Sequence, residues 1–210
     1  MRYFSSLPSI LNADQYGNFN VLTNLLVRTE LIPNLATNPL LFYQYSIQDG
    51  DTPESIANKY YGDPYRYWIV LYGNPHLLDA QSNWVMTSNQ FTSYLQDKYK
   101  TVAGGVDNVL SYTQQTPYEY QKIITTYDDT TQTTAIKTIA IDQVTYNSLS
   151  TSTTKQTFGN GGTITYTISK NALSIYDYEN QLNESKRNIN LINNSYASDI
   201  ELQYKNLVRL

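Results

Sequence analysis

Between Tyr45 and Tyr60 the chain reads Tyr-Ser-Ile-Gln-Asp-Gly-Asp-Thr-Pro-Glu-Ser-Ile-Ala-Asn-Lys-Tyr. Few backbones satisfy that order. From Leu41 to Gln48, Leu41, Tyr43, Tyr45 and Ile47 alternate with Phe42, Gln44, Ser46 and Gln48, the period of a strand. Asp49-Gly50-Asp51 then turns the chain, and Gly50 permits a backbone angle that a Cβ would hinder. Asp51 and Thr52 can satisfy the orphan N–H groups of a helix that has Pro53 in its first position, where a missing N–H costs nothing. Ile56 and Tyr60 fall four apart on one face, with Ala57 and Tyr61 beside them, and Gly62 closes the helix.

Asp63-Pro64 repeats the cap-plus-proline start. It predicts a second helix with Trp68, Leu71 and Tyr72 as its stripe, stopped by Gly73-Asn74-Pro75. Asn83-Trp84-Val85-Met86 reads as a short second strand. A third helix is expected from about Thr87 to Tyr99, with Phe91, Leu95 and Tyr99 on one side. Residues 1–40 read as an extended or loosely helical arm punctuated by Pro8, Pro33 and Pro39, in which the apolar stretch Val21–Val27 could form two helical turns. After Gly104-Gly105 the period becomes two. Tyr118, Tyr120 and Ile124 share a strand face, Asp128-Asp129-Thr130-Thr131 is a turn, and Ala135–Asp142 returns. Ser148–Thr154 reads as a loop, and Gly159-Asn160-Gly161-Gly162 as a turn into the alternating Ile164, Tyr166 and Ile168. A helix from about Tyr178 to Arg187 follows, then the apolar piece Ile189–Ile192. A last helix from about Ser195 to Val208 carries Tyr196, Ile200, Tyr204 and Leu207.

The expectation is an α+β protein in four parts: an N-terminal arm over 1–40, a β-α-α-β domain with its following helix over 41–100, a small antiparallel β region with one Thr-rich face over 101–170, and a helical tail over 171–210. No repeat of solenoid or propeller length is visible.

Composition excludes several chemistries. The 210 residues contain no cysteine and one histidine, His76, so disulfides, thiolate metal sites, thiol nucleophiles and multi-histidine sites are ruled out. Eighteen Asp and Glu against 14 Lys and Arg give a net charge of −4, without the basic footprint that nucleic acid requires. No apolar run reaches the roughly 20 residues of a membrane span. The opening Met1-Arg2-Tyr3-Phe4-Ser5 has no long apolar stretch, so folding in a cytoplasm is expected. Charged residues are only 15%, whereas tyrosine occurs 21 times. Tyrosine buries large area at little entropy cost and keeps a hydroxyl for a partner, which suits protein–protein contact.

No catalytic set emerges. His76 lacks a carboxylate cluster and reads as a surface or packing residue. Asp49, Asp51 and Asp63 lack the oxygen ligands of a calcium loop, and turn and cap duty accounts for them. Glu54/Asp63 and Asp128/Asp129 are not placed across a cleft. Gly159–Gly162 is not followed by Lys-Ser/Thr or a helix, so it is no phosphate loop. Trp68, Tyr72 and Trp84 are the rings that could stack on a sugar, but packing between helix and sheet is the better account of Trp68. No metal and no cofactor are expected.

In this segment Tyr45, Ile47, Gly50, Asp51, Thr52, Ile56, Ala57 and Tyr60, with Asn74 after the second helix, match in order the pattern of LysM domains. The resemblance implies a β-α-α-β unit over about Tyr43–Met86. It also implies a groove between the loops Asp49, Gly50, Asp51, Thr52, Pro53 and Asn74, Pro75, His76, Leu77, reaching Leu78. LysM grooves bind N-acetylglucosamine polymers, but every matched residue is one the fold needs.

A longer resemblance adds Tyr60-Tyr61-Gly62-Asp63, Tyr67–Val70, Trp84–Thr87, Tyr94–Tyr99 and Tyr176–Ile189. Together these resemble the baseplate wedge subunit of T-even-type contractile-tail phages, which contains a LysM-like domain. That family implies a non-enzymatic virion structural protein of the tail baseplate, assembled in the host bacterial cytoplasm. It would join wedge components and neighbouring wedges around the hub, with other baseplate wedge and hub proteins as partners and neither nucleic acid nor membrane among them. Val21, Leu22, Leu25 and Leu26 in the arm and Tyr196, Ile200, Tyr204 and Leu207 in the tail are then the expected partner-facing residues. The alternative is a LysM glycan-binding module contacting peptidoglycan.

Overall fold

The computed structural model describes residues 3–27, 29, 38–77, 83–159 and 161–208. Pro33, Leu78 and Asn160, which entered the readings above, lie outside them. In chain order the regular elements are β1 (Ser9–Ala13), β2 (Phe19–Thr23), β3 (Phe42–Ser46), α1 (Pro53–Tyr61), α2 (Tyr67–Tyr72), α3 (Ser88–Tyr99), α4 (Val109–Gln115), β4 (Pro117–Asp128), β5 (Thr133–Ile141), α5 (Gln143–Ser148), β6 (Ser152–Thr157), β7 (Thr163–Ser174), α6 (Ile175–Glu184), β8 (Asn188–Ile192) and α7 (Ala197–Val208). The class is α+β. The chain divides into two compact units, one made of residues 1–88 and 183–210, the other of 89–182.

In the first unit the local signals act as their chemistry requires. Thr52 Oγ1 accepts from the Ser55 N–H, and Ser55 Oγ accepts from the Thr52 N–H, a reciprocal cap with Pro53 next to it. Gly62 ends α1 in the left-handed region at φ 71°. Asp63 caps a short 3-10 turn that runs into α2.

The expected strand Asn83–Met86 is not a strand. β3 pairs instead with β8, antiparallel, with Phe42 opposite Ile192, Gln44 opposite Asn190 and Ser46 opposite Asn188. The closing strand of the β-α-α-β unit therefore comes from the far end of the chain. Four long-range links fix this pairing. Asn74 Nδ2 donates to Asn190 O at 2.8 Å, and the Asn190 N–H donates to Asn74 Oδ1 at 2.9 Å. Tyr61 OH donates to Ile192 O, and the Ile47 N–H donates to Arg187 O. Gly73 allows α2 to lie against β8, because a Cβ there would sit 2.7 Å from Asn190 O.

The core joins Ile47, Ile56, Ala57, Trp68, Ile69, Val70, Leu77 and Val85 to Ile189, Leu191, Ile192, Ala197, Tyr204 and Val208. Arg66 bridges to Glu201 of α7 at 2.9 Å. The excursion leaves and returns at adjacent points: the Met86 N–H donates to Asn183 Oδ1, and Asn183 Nδ2 donates to Met86 O.

The arm is not helical over Val21–Val27. Residues 9–23 form a β-hairpin with Ile10 opposite Leu22, Leu11 opposite Val21 and Ala13 opposite Phe19. Its turn is set by Asp14 Oδ1, which accepts from the N–H groups of Tyr16 and Asn18, with Gly17 at φ 82°.

The second unit carries the four-stranded antiparallel sheet β5-β4-β7-β6. The turns at Asp128–Thr131 and around Gly159 sit where the sequence places them, between β4 and β5 and between β6 and β7. Three of its elements differ from expectation. α4 and α5 are short helices without a readable stripe, and Ser152–Thr157, in and beyond the expected Ser/Thr loop, pairs with β7. Phe91 and Leu95 of α3, Val109 of α4, Leu173 and Ile175 are the buried apolar residues of this unit.

Candidate docking surfaces

The Gly-Asp-Thr loop is a structural knot. Asp51 is buried, and its Oδ2 accepts from Tyr45 OH at 2.6 Å and from the Gln48 N–H at 3.0 Å, while Lys59 Nζ bridges to Oδ1 at 2.5 Å. Burial pushes the carboxyl of Asp51 up, but the hydrogen bonds from Lys59, Tyr45 and Gln48 outweigh it, and the group is held below the usual aspartate range. Burial, and then the bond to Asp51, push the Tyr45 phenol up to about 12. The Trp84 indole N–H donates to Asp51 O at 2.8 Å. Asn74 is equally committed: Nδ2 donates to both Val70 O and Asn190 O.

Of the nine loop residues, Asp51, Pro53, Asn74 and Leu77 are buried, while Asp49, Gly50, Thr52, Pro75 and His76 are exposed. The two most distinctive polar side chains, Asp51 and Asn74, spend their hydrogen-bonding capacity inside the unit. Trp68 likewise packs: it is buried, with its ring 5.7 Å from Tyr3, 5.8 Å from Tyr72 and 5.0 Å from Tyr204.

The tail divides. Tyr204 is buried against Tyr3 and Trp68 of its own chain, so it cannot face a partner, and Ile200 packs against the same core. The reason is that the apolar stripe of α7 is part of the core: Ala197, Tyr204 and Val208 are buried in it, with the Tyr204 ring 5.0 Å from that of Trp68 on α2. Tyr196 and Leu207 remain exposed.

Within the arm, Tyr3, Leu7 and Val27 pack against the core, but the hairpin and Leu25 and Leu26 after it do not. Ile10, Leu11, Phe19, Val21, Leu22, Leu25 and Leu26 are between 42% and 87% exposed. From Tyr3 to Val27 the only charged residue is Asp14. A two-stranded hairpin with apolar side chains on both faces and no sheet behind it is marginal in water. Beside it Tyr3, Phe4, Leu7, Leu25, Val27, Tyr67, Trp68 and Leu71 line a largely apolar cavity of about 620 Å³. The local signal for the hairpin was the Asp14-Gln15-Tyr16-Gly17-Asn18 turn, which outweighs the apolar run that reads as helix.

Among the described residues no group of three or more His, Cys, Asp or Glu side chains is placed to hold a metal, and no helix is long and apolar enough to cross a membrane.

Comparison with known proteins gives two findings. The model of a family described as Base plate wedge protein 53 matches residues 35–210. Baseplate wedge protein gp53 of Enterobacteria phage T4 is 29% identical over 85 residues, which are 40% of this chain and 41% of that protein. The aligned stretch thus spans about two fifths of the curated relative's length. The family match, in contrast, takes in the β3–β8 unit, the excursion it encloses and the tail. The chain belongs to the Base plate wedge protein 53 family of phages.

Proposed function

We propose that this chain is a non-enzymatic structural subunit of a phage tail baseplate, and that it joins wedge components and neighbouring wedges around the hub. The observation that carries this reading is the apolar, nearly uncharged hairpin Ser9–Thr23 with Leu25 and Leu26 after it. Such a segment orders fully only when another surface covers it, and it covers much area per residue. Val21, Leu22, Leu25 and Leu26 meet a neighbouring wedge or hub protein, and the exposed Tyr196 and Leu207 add a smaller contact. Asp49–Pro53 and Asn74–Leu77 form a rigid protein-docking rim, since their buried members brace the exposed ones. The subunit is assembled in the host cytoplasm and resides in the tail baseplate.

Residue-level cross-linking of purified tails tests the proposal. The expected result is cross-links from residues 9–26 to other polypeptides. Cross-links from that segment only to its own chain overturn it. The glycan-binding alternative is tested by titration calorimetry with chito-oligosaccharides. Binding tighter than about millimolar, roughly −4 kcal/mol, favours it. The internal commitment of Asp51 and Asn74 argues for no binding.

A further inference from the structure

The sheet of the second unit has no core of its own. Of all residues in β4, β5, β6 and β7, Leu173 alone is buried. An antiparallel sheet ordinarily leaves one face wet and packs the other. Strand register separates the two faces here. One carries Thr125, Thr138, Thr153, Thr165 and Thr167, with Ile123 and the 69% exposed Ile136 among them, the threonine-rich face. The other carries Tyr120, Ile124, Ile139, Ile141, Ile164 and Ile168. That apolar face is only part-covered: Tyr146 of α5 lies 4.7 Å from the Tyr120 ring, and Ile139 is 36% exposed.

Apart from Asp128 at one end, the charges on this face are all positive. Lys122 lies directly opposite Lys170 on β7 and opposite Ile139 on β5, and Lys137 lies opposite Ile124. Like charges placed directly across a strand pair repel. Lys170 is held there: its Nζ donates to Tyr146 O at 2.9 Å and sits 4.8 Å from the Tyr146 ring. The carboxylate on the face is Asp128, at the far end, and it is engaged by the N–H groups of Thr130 and Thr131. A chain with net charge −4 thus concentrates three cations on the isoleucine-rich face of this sheet. A second copy docking face to face would oppose lysine with lysine, so a twofold pairing through this surface is disfavoured.

We propose that this face docks an acidic, apolar segment of a neighbouring baseplate protein, with carboxylates meeting Lys122 and Lys137 and apolar side chains covering the isoleucines. The inference rests on the baseplate reading above and names a second contact, distinct from the hairpin.

The test compares amine acetylation of the isolated full-length protein with that of intact tails, together with zero-length carbodiimide cross-linking of the tails. Lys122 and Lys137 are expected to react about tenfold more slowly in tails, as suits a contact of at least 1.4 kcal/mol. Lys155, on the threonine face, keeps its reactivity. Lysine–carboxylate cross-links from Lys122 or Lys137 run to a different polypeptide. The double variant Lys122→Glu with Lys137→Glu is expected to melt no lower than the parent, because the opposition to Lys170 is relieved, yet to enter tails about tenfold less. The paired Lys→Arg variant enters normally. Unchanged reactivity of both lysines in tails that contain the protein, or cross-links that return only to copies of this chain, overturns this inference alone. Absence of the protein from tails overturns the baseplate reading and this inference with it.

Discussion

Cutting the chain after Ser88 removes the partner of β3 while leaving the whole Gly-Asp-Thr element and both of its helices in place. β8 contributes Ile189, Leu191 and Ile192, each no more than 2% exposed, and α7 adds Tyr204 and Val208 at 3% or less. The three β8 side chains and Val208 are worth about 1.5–3 kcal/mol each on burial, roughly 6–12 kcal/mol together. A domain's entire stability is about 5–15 kcal/mol. The backbone partners of β3 and the second hydrogen-bonding side of Asn74 disappear as well.

A fragment of residues 1–88 is therefore expected to be unfolded, with random-coil circular dichroism and no cooperative urea transition. Joining residues 1–88 to 183–210 through a short Gly/Ser linker of about six residues restores a cooperative transition, because Met86 and Asn183 are already hydrogen-bonded to each other and the loop to be closed is short. Urea denaturation followed by circular dichroism and amide NMR dispersion distinguishes the two. A cooperatively folded 1–88 fragment, or a joined chain that stays unfolded, refutes the reasoning.

Other perturbations probe single contacts. Asn74→Ala removes three hydrogen bonds and leaves the Asn190 backbone groups without partners, so urea denaturation is expected to show a loss of about 2–3 kcal/mol. Gly73→Ala keeps an ordinary φ of −71° but drives a Cβ toward Asn190 O, and about 1–3 kcal/mol of destabilisation is expected from the same measurement. Glu179 is buried and accepts from Tyr94 OH, Tyr99 OH and Lys98 Nζ. Burial raises its pKa, but the bonds from Lys98, Tyr99 and Tyr94 outweigh that, and the folded group is held below the usual glutamate range. Its contribution to stability is thus fully present above the unfolded pKa and fades as pH falls through the lowered folded value. Glu179→Gln should cost about 1–3 kcal/mol at pH 7 and flatten the acid limb of a melting-temperature profile. Deleting residues 9–23 should change the melting temperature little, since all of β1 and β2 is exposed, while abolishing incorporation into tails.

Where a signal is local chemistry, residues and structure agree. Thr52 with Pro53, Gly62 and Asp63 each carry their own reason for a cap or a stop, and each sits at one. The long alternation around Tyr120 and Ile124, and around Ile164 and Ile168, makes β4 and β7 legible because a period of two over twelve residues has no helical equivalent. The short elements are different. Val109–Gln115 and Gln143–Ser148 are single helical turns or little more, and Ser152–Thr157 is a wholly exposed strand, held by pairing with β7 and carrying no apolar face of its own. In the candidate docking surfaces, the loop residues around Asp51 and Asn74 were legible from the motif, but their commitment to internal bonds was not. The lysine-bearing face of the sheet was invisible because it depends on which strand lies beside which.

The sequence by itself determined where the chain turns, caps and alternates, because those preferences are settled within a few residues by sterics and by a side chain's reach to its own backbone. It also excluded thiol chemistry outright. Only the tertiary structure decided which of two short apolar pieces, Trp84–Met86 or Ile189–Ile192, completes the sheet with β3. Both have strand-like composition, and the choice is made by contacts across more than a hundred residues: Asn74 with Asn190, Tyr61 with Ile192, and Ile47 with Arg187. Such contacts depend on surfaces that exist only after the helices have formed, so no window of neighbouring residues contains them.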